Sequence, residues 1–96
     1  MNEAYLKQKR ILLVDDEQAL LDLVVSILQA DGYQRIRTAR TMADALLAAQ
    51  EFQPELAVLD VMLPDGDGFA LMEALKRQGR EYPMLFLTAR GEDEDK

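Results

Sequence analysis

Residues 55–68 read ELAVLDVMLPDGDG, and the fold turns on them. Leu56, Ala57, Val58 and Leu59 are apolar without alternation, as expected of a strand buried on both faces of a parallel sheet. The run stops on a carboxylate, Asp60, and Pro64, Gly66 and Gly68 break any regular pattern directly afterwards. Asp60 is thereby placed at the C-terminal end of a strand beside a loop, and in an open α/β sheet that edge is where ligands bind. Taken alone, the stretch is satisfied equally well by a solvated aspartate opening a turn.

Further out, the same device recurs. Ile11, Leu12, Leu13 and Val14 form an unalternating apolar run that ends on Asp15 and Asp16. Over 17–30 the pattern becomes helical, with Leu20, Leu23, Val24, Ile27 and Leu28 on one face. With Leu21 and Val25 added, the apolar arc covers roughly 200°, wide enough to need neighbours on more than one side. Gly32 suits a left-handed cap after that helix. Residues 35–39 (RIRTA) predict a short edge strand, and Thr41 with Asp44 a capping box. The helix that follows has Met42, Ala45, Leu46 and Ala49 on its core face, and Phe52 and Pro54 close it. After the Asp60 loop, the spacing predicts a helix over 68–78, with Asp67 as N-cap and Phe69, Met72 and Leu75 inward. Pro83 opens a fourth strand over 84–87, which runs into Thr88 and then an acidic tail. Alternating strands and helices with short joins predict an α/β fold: a doubly wound parallel sheet with helices on both faces.

Composition narrows the chemistry. Ninety-six residues allow one domain, and 49% hydrophobic content makes it globular. Eleven basic against eighteen acidic residues argue against a nucleic-acid surface in this segment. The absence of Cys and His excludes disulfides, thiolate chemistry, imidazole bases and the usual zinc sites. No apolar stretch approaches a membrane span, so the expected location is the cytoplasm.

In a doubly wound sheet the first and third strands are neighbours, which brings Asp15 and Asp16 to Asp60. Unit charges about 4 Å apart repel by roughly 4 kcal/mol at an effective dielectric near 20. Either one carboxyl pKa rises sharply, or a cation sits among the acids. Oxygen ligands without His or Cys favour Mg²⁺ or Mn²⁺. A carboxylate held beside such an ion is a competent acceptor of a phosphoryl group. Thr88 would add a hydroxyl on the same edge. Other motifs fail on spacing: Asp65-Gly66-Asp67 starts like a calcium loop, but Lys76 occupies the position of its bidentate glutamate. Met42, Met62, Met72 and Met84 fall mostly at core spacing.

The segments ILLVDDE (11–17), LAVLDVMLPDGDG (56–68) and FLTAR (86–90) together resemble a bacterial two-component response-regulator receiver domain of CheY-like, flavodoxin-like fold. That resemblance implies strand order 2-1-3-4 in these residues, an order already associated with receivers of this kind. It implies that Asp60 is the phosphoacceptor, supplied by a histidine kinase. Asp16 and Asp60 would ligate Mg²⁺ or Mn²⁺ by side chain, Met62 by its backbone carbonyl, and Asp15 directly or through water. Thr88 would be the switch hydroxyl. The domain is then a signalling module rather than an enzyme, apart from its own phosphorylation and dephosphorylation, and LTARGEDEDK is similar to the OmpR-like class that controls transcription through a DNA-binding domain. A non-phosphorylated interaction module and a Mg²⁺-dependent phosphohydrolase are the competing readings, the latter expecting an acid where Met62 stands. The family's fifth strand and helix, with its lysine, would need about 30 residues beyond Lys96. Residues 1–96 are accordingly expected to be a C-terminally incomplete receiver that self-associates through its fourth strand and first helix.

Overall fold

The computed structural model describes Tyr5 and residues 7–87. Its main sheet contains β1 (Ile11–Val14), β2 (Ile36–Ala39), β3 (Leu56–Asp60) and, last in the chain, β6 (Met84–Leu87). Two short strands, β4 (Met62–Leu63) and β5 (Gly66–Asp67), pair antiparallel after β3. The helices are α1 (Gln18–Ala30), α2 (Met42–Phe52) and α3 (Gly68–Arg77). The sheet is parallel in the order β2-β1-β3-β6, which is the predicted order with β6 as the fourth core strand.

The sheet's two faces are covered unequally. Leu12, Val14, Ala57 and Leu59 pack against Ala45, Ala48 and Ala49 of α2 and Leu71 and Leu75 of α3. The alanines of α2 let that helix approach the strands closely, which is how two helices fit on this side. On the other face, Ile11 and Leu13 meet Leu21 of α1, with Val24, Val25, Leu28, Ile36 and Val58 packed around them. Only α1 lies there among the described residues. That is why β3 departs from the expected double burial: Ala57 and Leu59 are buried, while Leu56 and Val58 are partly exposed. On β6, Leu85 and Leu87 are exposed.

The helix ends follow local chemistry. Gly32 takes φ 101 after α1, a value side chains resist. Thr41 accepts the Asp44 backbone N–H, and Asp67 accepts that of Ala70, at 3.0 and 2.7 Å. Gln53, rather than a glycine, takes the left-handed conformation after α2, at φ 53. Arg10 Nε donates to its carbonyl at 2.8 Å, so that turn is tied to the start of β1. Phe69 corrects an expectation: it is exposed, and Leu71 is buried in its stead, alongside the expected Leu75. The Phe69 ring finds its partner across the surface in Phe86, with centroids 4.5 Å apart.

A contact from outside α2 completes its N-terminus. Asp65, in the turn between β4 and β5, accepts the backbone N–H groups of Met42 at 2.7 Å and Ala43 at 3.0 Å. These amides, otherwise without helical partners, hold the Asp65 carboxyl below its ordinary pKa. A depressed folded-state pKa contributes stability above the ordinary carboxylate range, and that contribution is lost as pH falls through the folded value. Asp65→Ala should therefore lower the thermal midpoint by a few degrees at neutral pH. Melting curves of the two proteins should begin to draw together near the ordinary carboxylate value, about pH 4, and converge only below the lowered folded value.

Candidate metal centre

The sheet register assembles the acidic site. Val14 pairs with Leu59, so the next residues, Asp15 and Asp60, stand level on neighbouring strands. Asp60 pairs in turn with Leu87, the last described residue of β6. Asp15, Asp16 and Asp60 each bring a ligand atom within 4.8 Å of the others. Asp15 is buried, Asp60 is partly buried and Asp16 is exposed. They line an open depression of about 350 Å³ together with Glu17, Leu20, Met62 and Leu87. A larger groove of about 510 Å³, beside Lys76, Glu81, Tyr82 and Met84, contains no such cluster.

Each acid is held differently. Asp15 Oδ1 accepts the Glu17 N–H at 2.9 Å, a local turn that leads the chain into α1. Backbone N–H groups of Met62 and Val61 donate to the Asp60 carboxylate. Burial and the nearby Asp15 charge outweigh these bonds, and the Asp60 carboxyl is pushed above its ordinary pKa. Asp16 is anchored through its backbone: Arg40 Nε and Nη2 both donate to its carbonyl, at 3.2 and 2.9 Å.

Gly68 fixes the loop that follows Asp60. Its N–H donates to the Val61 carbonyl at 2.8 Å. A Cβ at this position would collide with the Asp60 backbone carbonyl and press on Phe86. Only a hydrogen in place of a side chain lets α3 begin so close to the end of β3. The loop then turns Met62 outward, and its exposed side chain departs from the expectation of core packing. Its position still places it on the rim of the acidic depression.

The donor set suits a hard divalent cation. It consists of carboxylates whose burial and mutual repulsion raise the pKa of one of them, and none of the described side chains lining the depression is basic. Mg²⁺ or Mn²⁺ fits these residues. Thr88, expected to add a hydroxyl, lies outside the described residues. Glu17, Leu20 and Leu87 on the rim are expected from the sequence only as helix and strand residues, with no role in the site. The sequence carries no signal for Arg40 or Asp65, whose bonds reach across 24 and 23 positions to backbone groups of other elements.

The family model for the response regulator receiver domain matches residues 11–96. The chain is 43% identical over 88 residues to the alkaline phosphatase synthesis transcriptional regulatory protein PhoP of Bacillus subtilis, covering 92% of this chain and 36% of that protein. It is 39% identical over 90 residues to the phosphate regulon transcriptional regulatory protein PhoB of Escherichia coli K12, covering 92% of this chain and 39% of PhoB. The chain thus spans less than two fifths of either relative. Among solved structures, the N-terminal domain of a response regulator receiver protein from Methanoculleus marisnigri JR1 superposes with a TM-score of 0.79 at 36% identity, over 84% of this chain and 67% of that one.

Proposed function

The chain belongs to the response regulator receiver domain family, and from that premise we propose that Asp60 accepts a phosphoryl group from a phosphohistidine of a histidine kinase. The observation that carries this reading is the convergence of Asp15, Asp16 and Asp60 on one sheet edge. A carboxylate oxygen of Asp60 forms the new O–P bond, and the P–N bond breaks with its electron pair returning to the imidazole. Asp60 must be ionised to attack, yet burial and Asp15 favour its neutral form. Asp16 and Asp60 by side chain, Met62 by its backbone carbonyl, and Asp15 directly or through water, would hold Mg²⁺ or Mn²⁺. Bound there, such an ion supplies positive charge that restores the carboxylate and offsets charge on the transferring phosphoryl oxygens. Backbone amides of Val61 and Met62 keep the Asp60 carboxylate oriented meanwhile.

Thr88 is proposed as the hydroxyl that turns toward the phosphoryl group, since it follows Leu87, the register partner of Asp60. In this reading residues 1–96 are the receiver portion of a cytoplasmic transcriptional regulator, as the names of PhoP and PhoB suggest. No helix among the described residues is long and apolar enough to cross a membrane. The phosphohydrolase alternative loses ground to Met62, which stands on the rim where that chemistry expects an acid. Treatment with acetyl phosphate and Mg²⁺ tests the assignment, the expected result being a base-labile gain of one phosphoryl group.

The 96-residue chain is also proposed to self-associate. Leu23 and Ile27 on α1 are 56% and 58% exposed, and Leu85 and Leu87 are exposed on β6, the last strand of the described sheet. Burying one such side chain is worth about 1.5–3 kcal/mol, a large share of the 5–15 kcal/mol that holds a domain together. An apolar edge strand is a template for a second chain. Sedimentation of the 96-residue chain at micromolar concentration should show dimers or larger species. A compact monomer at every concentration would contradict this.

A further inference from the structure

The three acids are not equally anchored. Asp15 and Asp60 have carboxylates fixed by backbone amides, from Glu17 for the first and from Val61 and Met62 for the second. Asp16 is exposed, and among the described residues no bond to its carboxylate accompanies those that hold its backbone. What fixes it is the Arg40 fork, two N–H groups converging on the Asp16 carbonyl. A planar guanidinium gripping one oxygen in this way orients the peptide plane that follows the Asp16 Cα, the atom from which the carboxylate-bearing side chain branches.

Arg40 lies between β2 and α2, and that corner is tied at its other side as well. Met42 and Ala43, at the start of α2, donate to Asp65 in the turn that follows the Asp60 loop. Residues 40–43 therefore connect the loop bearing Asp16 to the loop bearing Met62. We propose that Arg40 is a positioning residue for the divalent-cation site, holding Asp16 at the spacing that Asp15 and Asp60 require. This rests on the reading of those acids as a cation site.

Electrostatics and positioning predict opposite signs. Arg40 is a positive charge beside the acids, so by Coulomb's law alone its removal tightens divalent binding. If the fork positions Asp16, removal weakens it, and partners of metal ligands contribute about tenfold or more in affinity. Lysine keeps the charge but offers no fork.

The test is a Mn²⁺ titration of wild type, Arg40→Ala, Arg40→Lys and Asp16→Asn, with free ion followed by electron paramagnetic resonance and metal-free thermal midpoints measured alongside. Positioning predicts about tenfold weaker binding in Arg40→Ala, a loss at least as large in Arg40→Lys, which keeps the opposing charge without the fork, and midpoints close to wild type in both. Equal or tighter binding in Arg40→Ala overturns the proposal. So does a loss in both variants that tracks a collapse of their midpoints, because general loosening then explains it. Absence of Mn²⁺ binding by wild type is a separate result: it removes the cation site itself, and the role of Arg40 with it.

Discussion

Asp60→Asn should take up no phosphoryl group from acetyl phosphate in the presence of Mg²⁺, under conditions where the wild-type mass rises by one phosphoryl group. The expected effect is complete, because the amide has no anionic oxygen to form the O–P bond and no other group replaces it. Asp15 Oδ1 already accepts the Glu17 N–H, and Asp16 lies exposed on the rim. The substitution should not damage the fold. Asp60 is only partly buried, and its carboxyl sits above the ordinary pKa through burial and the Asp15 charge, so a neutral isostere relieves an unfavourable placement. Undiminished uptake by a folded Asp60→Asn protein would move the acceptor elsewhere.

The second large effect is on stability. Because the folded-state pKa of Asp60 is raised, its contribution is fully present below the ordinary carboxylate value and is lost as pH rises through the raised one. At neutral pH the metal-free protein thus carries an electrostatic penalty that a bound cation cancels. A ligand that binds only the folded state adds about 2.7 kcal/mol at one hundred times its dissociation constant. For a domain of this size each kcal/mol moves the thermal midpoint by about 4–8 °C, so saturating Mg²⁺ should raise it by about 10–20 °C. Asp16→Asn should lose most of that rise while leaving the metal-free midpoint near wild type, since Asp16 is exposed. An unchanged midpoint across a Mg²⁺ titration of wild type would argue against the centre.

The site could be read from the sequence because its parts are local. Ile11–Val14 and Leu56–Asp60 are unbroken apolar runs that end on acids, and once such strands lie side by side in parallel the register brings their ends level. The caps at Thr41 and Asp67 were legible for the same reason, as each bonds an amide three residues away. Long-range choices were not. Phe69 and Leu71 are both apolar and both near the start of α3, and which one is buried depends on where β3 and α2 stand. The partial exposure of Leu56 and Val58 reflects how little of that face α1 covers, which no strand pattern encodes. Arg40 and Asp65 are exposed and polar, indistinguishable in sequence from any solvated loop residue until their backbone partners are placed.

The central claim is that Asp60 is the residue that carries the phosphoryl group. Borohydride reduces an aspartyl phosphate to homoserine, so treatment of the phosphorylated wild-type protein followed by peptide sequencing in a mass spectrometer reads the position directly. Homoserine should appear at position 60 alone, and only in samples that received both acetyl phosphate and Mg²⁺. Homoserine at position 15 or 16, or a phosphoryl group that survives reduction on Thr88, would contradict the account.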